Sequence, residues 1–226
     1  MSKYEAIILC GGKGSRVIDY TRNIPKCLIE ISGKPFLHHQ LIFLKNNKIN
    51  NVILSAGYLS NKIKNYVKKN NFMDIKVIDD GKKLLGTGGA ILKSLKFLKS
   101  NFFVIYGDSY LRFKLSKLKK KNNFATMAIY RNYNKFDKSN IKIKNNKKII
   151  YYKKKNNRRL QYIDYGASYL NKKIFMNEKK NQKFDLSELY EKISKKNKLT
   201  GYKVKKRFYE IGSYNGINEL KKYLEK

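Results

Sequence analysis

Short apolar runs alternate with amphipathic stretches through the first half of this chain. Tyr4-Glu5-Ala6-Ile7-Ile8-Leu9 stops at Gly11-Gly12, which predicts a buried strand opening into a glycine loop. Pro35 followed by Phe36-Leu37-His38-His39-Gln40-Leu41-Ile42-Phe43-Leu44 predicts a helix with proline in its first turn. Residues 51–56 (NVILSA) predict a second strand, and residues 60–69 a helix with Ile63 and Val67 four apart. Ile75 to Ile78 predicts a third strand, and Gly88-Gly89-Ala90-Ile91-Leu92 the start of a helix whose apolar positions are Ile91, Leu95 and Leu98. Residues 101–106 (NFFVIY) form a fourth strand pattern ending at Gly107-Asp108. The β-α-β-α-β-α-β order implies a parallel sheet with helices on both faces.

The second half is richer in strand patterns. Residues 125–130 (ATMAIY) predict a strand, and residues 141–143 with 148–152 a hairpin across Asn145-Asn146. Residues 163–170 predict another strand, residues 184–190 a helix capped by Asp185 or Ser187, residues 204–211 a strand and residues 216–224 a helix. With no internal repeat and no proline-rich linker, the expectation is one domain, 1–226, with halves at 1–115 and 116–226. The expected fold class is α/β, Rossmann-like, with a mostly parallel central sheet flanked by helices. A smaller β-rich insertion is expected in the second half. The lysine-asparagine tracts at 117–123 and 153–159 are expected in exposed loops or frayed ends.

Composition narrows the classes. At 226 residues with 42% hydrophobic and 13% aromatic residues the chain can bury a core and is too apolar for disorder. No apolar run approaches the roughly 18 residues that cross a bilayer. The first residues carry no signal-peptide pattern, and two cysteines, Cys10 and Cys27, make no disulfide framework, so a cytoplasmic setting is expected. The net charge of +36 points toward phosphate-bearing partners. The positive charge is mostly lysine, spread along a chain rich in Asn, Ile and Tyr, while arginine, the preferred fork for bases and phosphates, is scarce. A solvated lysine surface follows better than a nucleic-acid footprint.

The sharpest feature is Leu9-Cys10-Gly11-Gly12-Lys13-Gly14-Ser15-Arg16 directly after the first strand. Three glycines let backbone approach a phosphate chain closely and aim N–H groups at it. The spacing fits neither a Walker loop nor the dinucleotide fingerprint. Arg16, and Lys26 in Ile24-Pro25-Lys26-Cys27-Leu28, add cations near it. Taken alone, the segment also reads as a tight turn with two surface bases. Asp108 ends the fourth strand, where open α/β sheets place ligand-binding groups; a lone Asp there can also cap a turn. His38-His39, adjacent on a helix, point about 100° apart and make a poor metal pair.

Taken together, the glycine loop, the Pro25-Lys26 pair and Gly33-Lys34-Pro35 before a helix resemble the signature of the sugar-1-phosphate nucleotidyltransferases, or nucleotide-sugar pyrophosphorylases. Leu85-Gly86-Thr87-Gly88-Gly89-Ala90 resembles that family's second glycine segment, Gly107-Asp108 its metal-binding strand end, Tyr165-Gly166 its sugar-pocket glycine, and Phe208-Tyr209-Glu210-Ile211-Gly212-Ser213 its late segment with a second metal ligand. Among relatives the chain resembles the compact bacterial enzymes, heptose-1-phosphate guanylyltransferases included.

The resemblance implies an Mg²⁺-dependent transfer of a nucleotidyl group from a nucleoside triphosphate to a sugar 1-phosphate, for surface-glycan precursors, with pyrophosphate released. Leu9, Cys10, Gly11, Gly12, Gly14, Ser15, Asp80, Gly86 and Thr87 would bind the nucleotide. Arg16, Lys26 and Asp108 would be catalytic. Gly88, Lys154, Asp164 and Gly166 would face the sugar phosphate, with Lys154 chosen among Lys153, Lys154 and Lys155. Asp108 and Glu210 would hold the Mg²⁺, Glu210 standing where the family commonly has Asp. Neither nucleic acid nor membrane is an expected partner. The other readings are a catalytically silent nucleotide-sugar-binding relative and a basic nucleic-acid-binding protein.

Overall fold

In the computed structural model of this chain, which describes residues 4–70, 74–81, 83–119, 124–144, 147–152, 160–179 and 182–225, the first apolar run is β1 (Tyr4–Leu9). Its four central residues are buried, as a strand covered on both faces requires. Glu5 is buried too, and Asn51 Nδ2 donates to its Oε1 at 3.1 Å. There follow α1 (Ile18–Thr21), β2 (Glu30–Ile31), β3 (Lys34–Pro35), α2 (Phe36–Asn46), β4 (Ile49–Ala56), α3 (Ser60–Lys69), β5 (Asp74–Asp79), α4 (Gly86–Ser94), β6 (Asn101–Tyr106) and β7 (Ser109–Tyr110). Then come β8 (Ala125–Arg131), β9 (Ile141–Ile143), β10 (Ile149–Tyr151), β11 (Tyr162–Asn171), α5 (Leu186–Lys195), β12 (Leu199–Val204), β13 (Tyr209–Glu210) and α6 (Tyr214–Leu224).

Nine strands hydrogen-bond in one sheet along the order β10-β9-β11-β6-β1-β4-β5, with β8 on β11 and β12 on β8. This is the expected Rossmann-like α/β sheet flanked by helices, with a β-rich second half. The chain folds as two compact units: Met1–Leu84 with Ile105–Leu111 and Phe208–Lys226, and Leu85–Val104 with Arg112–Arg207. The chain therefore passes between units at four points.

In the first unit β4 pairs in parallel with both β1 and β5, setting Ile7 beside Ile53 and Ile53 beside Lys76. A second core of Val17, Ile29, Ile31, Phe36, Ile211, Ile217 and Leu220, all fully buried, ties α6 to the segments around the glycine loop. In the second unit β8 is parallel to β12 and antiparallel to β11, while β9 and β10 form the expected hairpin. Its turn, Asn145-Asn146, lies outside the described residues, as do 120–123 and 153–159 of the two lysine-asparagine tracts. Asp185 stands at the N-cap of α5, its N–H donating to Glu188 Oε1 at 3.5 Å in a capping box.

Two expectations change. The strand foreseen at 204–211 is two strands, β12 ending at Val204 and β13 at Tyr209–Glu210, with exposed Lys205 and Lys206 between them. Pro35 precedes α2 as its N-cap, because its ψ of 142° is extended.

The turn after β5 rests on Asp79, which accepts hydrogen bonds from the Ser60 hydroxyl, from Gly81 N–H at 2.8 Å and from Lys64 Nζ at 3.1 Å. Burial alone would push this carboxyl up; the Ser60, Gly81 and Lys64 donors outweigh it and hold it below the usual carboxylate range. Its contribution to stability is thus present at neutral pH and lost as pH falls through the lowered value. The melting-temperature gap between wild type and Asp79→Asn is expected to be open at pH 7 and to close below about pH 4, as read by thermal unfolding across a pH series.

Candidate functional site

The glycine loop leaves β1 at its C-terminal end. Gly14 adopts φ +69°, and a Cβ on it would stand 2.7 Å from Thr21 Cγ2, so no larger residue fits. Thr21 Oγ1 donates to Gly14 O at 3.1 Å and Val17 N–H to the same oxygen at 2.9 Å, closing the loop onto the short 3₁₀ turn Ser15–Val17. Ser15 and Arg16 are exposed on that turn. Around Gly12 nothing lies within 4 Å of a Cβ position, which leaves one face of the loop open. Gly12→Ala is therefore expected to keep the melting temperature within about 1–2 °C yet weaken nucleoside triphosphate binding, measured by titration calorimetry.

Cys10 is buried, and hydrogen bonding to Cys27, followed by burial, pushes its thiol up. That is the environment of an inert structural thiol. Lys26 opens a 3₁₀ turn after extended Pro25 and donates from Nζ to Asp108 Oδ2 at 2.6 Å. Burial would raise the Asp108 carboxyl; the charge and hydrogen bond of Lys26, with Arg16 behind them, overcome this and hold it below the usual range.

Asp108 and Glu210 are brought together by a ribbon of two-residue strands. In this ribbon β13 pairs antiparallel with β7, setting Glu210 opposite Ser109, and Ile211 N–H donates to Asp108 O at 3.0 Å. A Cβ on Gly212 would stand 2.7 Å from Glu210 Oε2, 2.8 Å from Arg16 Nη2 and 3.4 Å from Asp108 Oδ2, so three charged side chains converge on one glycine. Glu210 is held by Gly212 N–H at 2.5 Å to Oε2 and by the Ser213 hydroxyl to Oε1. Two converging carboxylates are the hard-oxygen donor set that Mg²⁺ accepts alongside phosphate oxygens and water. Among the described residues no group of three or more His, Cys, Asp or Glu gathers to hold a metal.

A residue that sequence reasoning passed over brackets Asp108. Gln40 is 3% exposed on α2, and its Nε2 donates to Tyr106 O at 2.8 Å and to Ser109 O at 3.0 Å. The signal was a polar residue on the stripe of Phe36, Leu37, Leu41 and Leu44. Gln40→Met keeps the volume and removes the donor that both carbonyls share, a cost of about 1–3 kcal/mol. We expect a lowered melting temperature and a kcat that falls more than KM changes.

Asp80 lies half-buried after β5, its Oδ2 3.7 Å from a Cβ position on Gly11. The remaining candidates belong to the second unit. There Gly88 and Gly89 N–H groups both donate to Phe184 O, at 3.0 and 3.2 Å, and Leu186 N–H donates to Thr87 Oγ1 at 2.8 Å. The Phe184 carbonyl and ring occupy the Cβ directions of Gly86 and Gly88. This glycine segment, expected to contact base and sugar, thus seats the start of α5 with its own backbone donors. Asp164 on β11 accepts Gly166 N–H at 2.9 Å, and Gly166 adopts φ +90°. Burial and then the Asp164 charge push Tyr190 up, and Tyr151 likewise. Lys154 lies outside the described residues.

A family model described as nucleotidyl transferase matches residues 5–226. D-glycero-alpha-D-manno-heptose 1-phosphate guanylyltransferase of Campylobacter jejuni is 34% identical over 210 residues, 92% of this chain and 94% of that one. The protein of the same name from Aneurinibacillus thermoaerophilus is 31% identical, covering 98% of each chain. The crystal structure of HddC from Yersinia pseudotuberculosis complexed with GMP-PN shares the fold, with a TM-score of 0.82 at 24% identity over 98% of this chain and 99% of that one. No helix among the described residues is long and apolar enough to cross a membrane. A match that begins in β1 and runs on through residue 226 takes in every segment that converges on Gly212, and this chain belongs to the nucleotidyl transferase family.

Proposed function

We propose that this chain transfers a guanylyl group from GTP to a heptose 1-phosphate, giving a GDP-heptose and pyrophosphate for surface-glycan synthesis. The observation that carries the reading is the convergence of Arg16, Asp108 and Glu210 on Gly212, next to the Lys26–Asp108 pair at the mouth of an open glycine loop. Support for the choice of substrates comes from the two guanylyltransferase relatives, each covering more than nine-tenths of the chain.

The reaction sets a phosphate oxygen of the sugar against the α-phosphorus of the triphosphate, so catalysis is positioning and charge neutralisation. Gly11, Gly12 and Gly14 would cradle the triphosphate with backbone N–H groups. Arg16 would neutralise the departing pyrophosphate, and Lys26 would hold the reacting phosphoryl group in line. Asp164 and Gly166 are assigned to the sugar. Asp108 and Glu210 would hold Mg²⁺, which when bound supplies positive charge to the phosphate oxygens. Nucleoside triphosphates and sugar phosphates meet in the cytoplasm, where the chain would act.

The test is a pyrophosphate-release screen of five nucleoside triphosphates against a panel of sugar 1-phosphates, with Mg²⁺ and with chelator. GTP with heptose 1-phosphate should give the highest rate, and chelator should abolish it. A higher rate with another pair would replace these substrates, and a rate untouched by chelator would remove the metal.

A further inference from the structure

We infer that Tyr214 is a positioning residue: its hydroxyl, donated to Asp19, fixes the turn that carries Arg16 and aims that guanidinium at the pyrophosphate end of the nucleotide. This role rests on the reaction proposed above and adds to it a residue that acts only through Asp19.

The turn needs a hold from outside. Arg16 stands on the 3₁₀ turn Ser15–Val17, which runs into the single turn of α1, and neither has a side-chain cap. Segments this short do not hold themselves in water. Thr21 Oγ1 donates to Gly14 O and Val17 O, bonds that close the turn on itself and tie it to nothing else. Between Ser15 and Asp19 only Val17 is buried, in the core with Ile211, Ile217 and Leu220. It is a pivot, with Arg16 on one side and Asp19 on the other. Apolar packing is non-directional, so the pivot sets where the turn lies and not how it is tilted.

Direction comes from α6. Tyr214 opens that helix, and its hydroxyl donates to Asp19 Oδ2 at 2.5 Å while lying 3.4 Å from Asp19 N. A hydroxyl on a carboxylate makes a short, directional, charge-assisted bond. The donor is itself held. Its ring lies 5.9 Å from that of Tyr20, over which Lys221 Nζ sits at 5.8 Å. The preceding Ser213 gives its hydroxyl to Glu210 Oε1 and accepts Gly216 N–H at 3.0 Å. The two segments therefore meet on both sides of the pivot. On one side Arg16 Nη2 lies 2.8 Å from a Cβ position on Gly212; on the other Asp19 binds Tyr214. With Tyr214 41% exposed, the bond adds little to stability. Its consequence is the aim of Arg16, where a misplacement of about 1 Å costs up to about a hundredfold in rate.

The test is a double-mutant cycle between Tyr214→Phe, which removes only the hydroxyl, and Arg16→Ala. It is read by calorimetric binding of inorganic pyrophosphate and by kcat/KM with GTP and heptose 1-phosphate. Tyr214→Phe should weaken pyrophosphate and lower kcat/KM by about tenfold, while the melting temperature moves by no more than about 4 °C. In the Arg16→Ala background the same substitution should change neither. Asp19→Ala should reproduce Tyr214→Phe, and Asp19→Asn, whose amide oxygen still accepts from the hydroxyl, should lose less. Unchanged pyrophosphate binding in Tyr214→Phe, or the full loss repeated without Arg16, overturns the inference even where turnover is intact. Pyrophosphate binding that depends on Tyr214 through Arg16, in a protein without turnover on any substrate pair, upholds it and overturns the proposed reaction instead. Should Tyr214→Phe fail to fold, the two Asp19 variants read the same bond from its other end.

Discussion

Asp108→Asn is expected to lower kcat by about a hundred- to a thousandfold or more while the protein still folds. The substitution keeps the side chain's shape and removes its charge. Asp108 Oδ2 is the oxygen that Lys26 Nζ reaches at 2.6 Å, and it is one of the three charged groups that converge on Gly212. With the charge gone, Lys26 faces an amide, and Glu210 is left as the one carboxylate at that point. The pair is partly exposed, at 17% and 26% for the two side chains, so the structural loss should be modest. Steady-state kinetics beside a thermal melt separates the two effects. Lys117→Gln, far along the chain in a short turn, serves as the control and should leave the rate unchanged. A variant at Asp108 that keeps more than a tenth of wild-type turnover would remove the residue from the catalytic group.

The second large effect falls on stability. Gly107 closes the turn between β6 and β7, and its N–H donates to Leu9 O at 3.1 Å. A Cβ there would press on that same oxygen and stand 3.0 Å from Leu9 C and 3.3 Å from Cys10 Cα. Every atom met is backbone, so nothing can swing aside. Gly107→Ala should cost about 1–3 kcal/mol through overpacking, a fall of roughly 2–12 °C in melting temperature at this chain length. Circular dichroism melts read it directly, and an unchanged melting temperature would mean that β1 and the turn yield more easily than their contacts suggest. Because the same shift displaces Asp108, activity should fall with stability.

Much of this was legible in the residues because it is local. Tyr4 to Leu9 is the buried strand that its apolar run before the glycine loop predicted, and residues 60–69 fold as the helix their spacing predicted. The loop with Arg16 and Lys26 is a short contiguous string, so its resemblance pointed to a family that the comparisons then showed. What escaped depends on partners far away in sequence. β2, β3, β7 and β13 are two residues long, and no periodicity distinguishes such strands from turns. The meeting of Asp108 with Glu210 is made by one such pairing, and only the family resemblance, no pattern in the residues themselves, had put the two together. The role of Gln40 hides in an ordinary amphipathic helix until the carbonyls at its tip are seen. The glycines at 86, 88 and 89 also carry contacts that their sequence pattern does not announce. Cβ positions on them would meet Phe184 and Gln182, residues about a hundred positions further on.

The first unit is assembled from both ends of the chain: Tyr214 hydroxyl donates to Asp19 Oδ2 at 2.5 Å across 195 residues, and Ile211, Ile217 and Leu220 complete the core around Val17. A ribosome must therefore deliver the chain through residue 220 before the carboxylate at 210 and the glycine at 212 can be docked. A fragment released between residues 108 and 210 carries the loop and Asp108 without the Ile211, Ile217 and Leu220 side chains that cover Val17. Premature termination should thus yield aggregation-prone chains.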